Sequence, residues 1–78
     1  MLEAKPIAQI IGSNISKARK ANGLTQVRLA QCVGMDRTTI TKIERGAKTP
    51  SIGSLLKIAS ALGTSPAVLF DGWENTVY

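Results

Sequence analysis

The sequence predicts an all-α domain, and three observations predict it. Apolar residues recur every three or four positions rather than every second one. A glycine closes each of the longer runs, at Gly23, Gly34, Gly46 and Gly63. Thr25, Ser51 and Ser65 stand just before later runs, where the first free amides of a helix need an acceptor. No strand pattern, repeat, linker or low-complexity segment breaks this order, so we expect a single domain over residues 1–78.

Five helices follow in turn. The first runs from Pro6 or Ile7 to about Ala21, with Ile7, Ile11, Ile15 and Ala18 as its apolar stripe and Ile10 widening it. Lys17, Arg19 and Lys20 fall in its last turns, where the helix dipole favours cations. Asn22-Gly23 stops it, and Leu24 folds back onto the core. Thr25 caps the second helix, Gln26 to Val33, which Gly34 ends. Asp36 is placed as N-cap of the third, Arg37 to about Arg45, ended by Gly46. Ser51, after Pro50, caps the fourth, Ile52 to Leu62, with Ile52, Leu55, Leu56, Ala59 and Leu62 on one face. Ser65-Pro66 opens a short fifth to about Phe70, and residues 71–78 form a tail.

The second and third helices carry the functional signal. Leu29, Ala30 and Val33 mark one buried face, Gly34 supplies the bend, and Ile40 and Ile43 mark the other. Two helices crossing over a tight glycine turn form a helix-turn-helix, whose second helix fits the major groove of DNA. Ala30 sits where the helices approach, so a larger side chain there would push them apart. With the isoleucines turned inward, Arg37, Thr38, Thr41 and Lys42 are left on the open side, where they can bond base edges and phosphates.

Charge agrees with that reading. Residues 17–57 hold nine cations against Asp36 and Glu44, a local charge of +7 inside a chain of net +5. The tail from Asp71 onward is acidic. A basic middle suits a protein that holds a polyanion. Composition excludes other classes. There is no histidine, one cysteine, and five carboxylates without a convergent arrangement, so we expect no catalytic site, no metal site and no cofactor. Cys32 falls beside the apolar face of its helix and reads as packing. The first twelve residues lack the pattern of a signal peptide, and no apolar run reaches the ~18 residues a membrane span needs. We therefore expect a cytoplasmic protein with no membrane partner.

The stretch from Leu24 to Phe70 resembles the helix-turn-helix domain of the Cro and phage-repressor family, the xenobiotic-response-element type. The likeness spans Ile11 to Phe70 and rests on Leu24-Thr25-Gln26, Leu29-Ala30, Gly34, Ile40, Ile43-Glu44-Arg45-Gly46, Pro50-Ser51, Leu55, Ile58-Ala59, Leu62-Gly63 and Leu69-Phe70. It implies a compact five-helix bundle of the lambda-repressor-like DNA-binding type and a transcription regulator of bacterial or phage origin. By position it implies that Gln26 touches a phosphate with its side chain or backbone amide. Arg37, Thr38 and Lys42 would meet base edges, and Thr41 a thymine methyl or a phosphate. Arg45 and Lys48 would hold phosphates beyond the helix. Arg19 and Glu44 match a paired arginine and glutamate that ties the first helix to the recognition helix, and Arg19 would also help hold a phosphate.

One recognition helix reads only a few base pairs, so a homodimer on a roughly palindromic double-stranded operator is expected. Its interface is placed on the fourth and fifth helices with Phe70, Trp73, Val77 and Tyr78, because an apolar tail needs cover. The alternative is a DNA-binding antitoxin or controller that also holds a small protein partner. The operator sequence is not legible.

Overall fold

A computed structural model describes residues 6–73, and its order of elements follows the punctuation of the sequence. Helix α1 spans Ile7–Ala21, α2 Gln26–Val33, α3 Arg37–Glu44 and α4 Ile52–Ala61; a 3-10 helix, Pro66–Phe70, follows. Pro6 has no side-chain acceptor to cap α1, but its carbonyl takes the amides of Gln9 and Ile10 at 3.0 and 3.3 Å. The hydroxyls of Thr25 and Ser51 accept from the amides of Arg28 and Ser54. At the other end of α2, Gly34 takes a left-handed φ of 69°, which lets the Met35 amide return to the Ala30 carbonyl at 2.9 Å. The same backbone closure ends the other three α-helices, through Leu24, Ala47 and Thr64.

Ile15, Leu29, Ile40, Ile43, Ile58 and Leu69 form the innermost core, drawn from every element. Helix α1 packs on α3 and on the 3-10 helix, and α2 packs on α3 and α4. The α1–α3 approach is very close. A Cβ on Gly12 would fall 2.2 Å from the Ile43 carbonyl oxygen and 2.8 Å from that of Glu44. Two asparagines of the α1 region tie down loose ends. Asn14 Nδ2 donates to the carbonyls of Leu69 and Asp71, both at 2.9 Å, and Asn22 Nδ2 reaches the Leu62 carbonyl at 3.1 Å.

Several expectations need correction. The fold is all-helical over the described residues, with four α-helices rather than five. The fifth segment is a 3-10 turn, because five residues between Ser65 and Asp71 close only i to i+3 bonds, such as Val68 to Ser65 at 3.1 Å. Arg45 and Leu62 are the C-caps of α3 and α4, one residue beyond the helices. Asp36 holds the N-cap position of α3 with extended backbone, yet its side chain makes no cap bond; the same is true of Ser65. Ile7 is exposed at the start of α1. On α4, Leu55, Ile58, Ala59 and Leu62 take the core, which leaves Ile52 and Leu56 on a second stripe, 78% and 51% exposed. Cys32 is exposed rather than packed.

Candidate nucleic-acid interface

The α2–turn–α3 unit positions the site. Leu29, Ala30, Val33, Ile40 and Ile43 are all buried, so each helix has one permitted orientation. That orientation leaves Arg37, Thr38 and Lys42 exposed along α3, with Arg45 and Lys48 exposed just past its end. Thr41 and Gln26 are half-buried at the seam where α3 meets the first turn of α2.

A chain of hydrogen bonds runs beneath this face. Arg19 on α1 donates to both oxygens of Glu44 on α3: Nε to Oε2 at 2.7 Å and Nη2 to Oε1 at 3.1 Å. Its remaining terminal nitrogen, Nη1, donates to the Leu24 carbonyl at 2.7 Å. Gln26 Nε2 donates to Glu44 Oε1 at 3.1 Å, and the Thr41 hydroxyl lies 3.0 Å from Gln26 Oε1. Three helices thus meet on one carboxylate. The ion pair is nearly dry, with the two side chains 10% and 6% exposed. In such surroundings the paired, bidentate form satisfies charges that would be costly alone.

The geometry separates the cations into two kinds. Arg19 is buried and directs its charge onto Glu44 inside the protein. Among the described residues Arg37, Lys42, Arg45 and Lys48 form no ion pair and face solvent. The Gln26 side chain bonds both Glu44 and Thr41, and its backbone amide stands at the first position of α2. No cluster of metal-ligating side chains occurs among the described residues.

Phe70 is half-buried and Trp73 is 46% exposed. Val77 and Tyr78, expected at an interface, lie outside the described residues. Sequence reasoning missed the Gln26–Thr41 and Gln26–Glu44 bonds, the Asn14 tether and the role of Gly12. A signal for Gly12 existed. A glycine inside a helical run costs about 1 kcal/mol against alanine and asks for a packing reason.

Comparison with known proteins agrees with this architecture. The helix-turn-helix family profile matches residues 15–69. An uncharacterized HTH-type transcriptional regulator of Sinorhizobium fredii is 30% identical over 70 residues, covering 90% of this chain and 91% of the relative. The restriction-modification controller protein C.AhdI of Aeromonas hydrophila superposes with a TM-score of 0.76 at 35% identity, over 80% of this chain and 94% of that one. SinR of Bacillus subtilis, a master regulator for biofilm formation solved in complex with DNA, superposes with a TM-score of 0.74 at 34% identity, over 78% and 98%. With Ala30 and Ile40 buried on either side of the Gly34 turn, an exposed polar face on α3 and these relatives, the chain belongs to the helix-turn-helix family of the Cro and phage-repressor type.

Proposed function

We propose that this chain is a sequence-specific DNA-binding transcription regulator, a repressor acting as a homodimer on a roughly palindromic operator. One observation carries the reading. The buried isoleucines of α3 force Arg37, Thr38 and Lys42 outward together, unpaired, beside the first turn of α2. In this reading Arg37 and Lys42 bond base edges, with Arg to guanine as the commonest specific pairing. Thr38 and Thr41 meet the same groove. Arg45 and Lys48 hold phosphates, and the Gln26 backbone amide holds another at the N-terminus of α2. The likeness to a solved protein–DNA complex supports it.

We assign the dimer surface to the exposed stripe of α4, Ile52 and Leu56; Val68 and Trp73 are further large apolar residues left exposed. Large apolar residues left in contact with water on so small a domain favour a partner surface. The work is binding and not bond-making chemistry. No helix among the described residues is long and apolar enough to cross a membrane, and the proposed place of action is the cytoplasm. The likeness to C.AhdI favours, as a second reading within the same function, a controller of restriction-modification genes.

Selection of bound sequences from a random DNA pool tests the proposal. The expected result is one short half-site recovered twice, in inverted orientation, about one helical turn apart. Recovery of no preferred sequence would overturn it, and recovery of unpaired half-sites would overturn the dimer.

A further inference from the structure

The proton of the Thr41 hydroxyl is spent inside the protein, and only its oxygen lone pairs remain open to accept. The hydroxyl lies 3.0 Å from Gln26 Oε1 and 3.0 Å from the Arg37 carbonyl oxygen. A hydroxyl has one proton, and both of these neighbours are acceptors. Whichever takes the proton, it stays within the α2–α3 seam. The Gln26 amide cannot turn around to offer its nitrogen instead. Nε2 is the donor to Glu44 Oε1, and a flipped amide would set oxygen against a carboxylate. Glu44 in turn is fixed by the two bonds from Arg19. The orientation of this hydroxyl is thus set from two sides, by the Arg37 carbonyl of its own helix and by a chain of bonds that starts on α1.

This matters because of where Thr41 stands. It is one turn beyond Arg37 and next to Lys42 on the outer face of α3, and it is half-buried rather than covered. A free threonine hydroxyl would donate to guanine O6 or N7, to thymine O4 or to a phosphate. The locked one has no proton to give without breaking an internal bond. What it still offers is an oxygen that can accept from adenine N6 or cytosine N4, and a γ-methyl; thymine presents no such donor in the major groove but does present a methyl, against which the threonine methyl makes an apolar contact.

Resting on the DNA-binding reading above, we propose that Thr41 is a specificity-determining residue for thymine. It reads the 5-methyl group through its own methyl, with Gln26 and Glu44 as positioning residues that withhold its hydroxyl. The geometry discriminates thymine from cytosine by an apolar contact, at a position where sequence alone left base and phosphate contacts equally open.

The test uses the full chain and the site obtained by selection. Each thymine is replaced in turn by deoxyuridine, which removes the 5-methyl and nothing else. At one position per half-site, affinity should fall about fourfold, the worth of one buried methyl group. Thr41→Ser keeps the hydroxyl and loses the methyl, and it should be insensitive to deoxyuridine at that position. Thr41→Val keeps a methyl and loses the hydroxyl, and it should stay sensitive. Gln26→Ala removes one of the two internal acceptors and leaves the Arg37 carbonyl, so the preference for thymine should weaken there without vanishing, with the melting temperature as a separate control. A chain that selects no sequence fails the functional reading. A chain that selects a sequence but shows no deoxyuridine effect overturns the inference. So does a Thr41→Ser protein that keeps the full effect, or a Thr41→Val protein that loses it.

Discussion

Gly12→Ala should destabilise the fold and weaken DNA binding by more than the lost folded fraction explains. The added Cβ would sit 2.2 Å from the Ile43 carbonyl oxygen, 2.8 Å from the Glu44 carbonyl oxygen and 3.0 Å from the Glu44 carbonyl carbon. All three are backbone atoms, so no flexible side-chain tip can move aside. Helix α1 and the end of α3 must separate by roughly an ångström, an overpacking in the upper part of the usual range, about 2–3 kcal/mol. Against that, alanine in a helix interior gains about 1 kcal/mol over glycine. The clash wins by about 1–2 kcal/mol, which in a domain of this size lowers the melting temperature by roughly 5–10 °C. Gly53→Ala is the internal control. Gly53 lies within α4 with open space around its missing Cβ, so only the propensity gain remains and the melting temperature should rise. Separation at Gly12 also pulls Glu44 from Arg19 and tilts α3. Loss of one well-made base contact is worth about 1–3 kcal/mol, so affinity should drop tenfold or more. Thermal melts by circular dichroism and anisotropy titrations well below the variant's melting point separate the two effects. A melting temperature that is unchanged or raised in Gly12→Ala would refute the close approach of α1 and α3.

Three further outcomes are expected. Glu44→Ala leaves the Arg19 guanidinium nearly buried without its counter-charge, so stability should fall by about 3–5 kcal/mol; a shift in the denaturant midpoint worth less than 1 kcal/mol would show the pair to be solvated. Arg37→Ala and Lys42→Ala should each cost about 1–3 kcal/mol on the preferred site and relax one base per half-site, whereas Lys48→Ala should weaken all sequences alike and reduce the salt slope by about 1; equal losses on preferred and random DNA for all three would remove the distinction. Leu56→Glu, placed on the exposed stripe of α4, should give a folded monomer in sedimentation and spare binding to a single half-site; a dimer of normal strength would move the interface elsewhere.

What the sequence made legible was local. The span of α2 was readable because Thr25 supplies a cap acceptor and Gly34 a left-handed stop, both properties of single residues. The outward face of α3 was readable because Ile40 and Ile43 can turn only one way. What was not legible depended on angles between helices. Gln26 sits 15 residues from Thr41 and 18 from Glu44, and no spacing rule says which polar tips meet across a seam. The exposed stripe of α4 was misjudged for a related reason. Ile52 and Leu56 share the helical period with Leu55 and Leu62, but a bundle this small has only one side of α4 to cover. The fifth helix failed on length, since five residues cannot repay the cost of an α-helical nucleus.

The nearly dry Arg19–Glu44 pair raises the question of what it does, because a buried ion pair is weak evidence for stability. Apolar replacements of similar volume often match or exceed such pairs, while removal of one partner is strongly destabilising. Its distinctive service here is directional. Apolar side chains could fill the same space, but they could not dictate which way the Gln26 amide faces, and would leave the Thr41 hydroxyl held by the Arg37 carbonyl alone. The double variant Arg19→Met, Glu44→Leu isolates that service. It should recover most of the stability lost in Glu44→Ala, less the worth of the bond from Arg19 to the Leu24 carbonyl, about 1 kcal/mol. It should nevertheless show weaker selectivity at the Thr41 position, while selectivity at Arg37, which does not hang on the network, persists. Chemical denaturation and competition between thymine- and cytosine-bearing sites supply the two readouts. If the double variant is as unstable as Glu44→Ala, the pair is there to hold the helices together. If it is stable and prefers thymine as strongly as before, the methyl of Thr41 finds its place without guidance from α1.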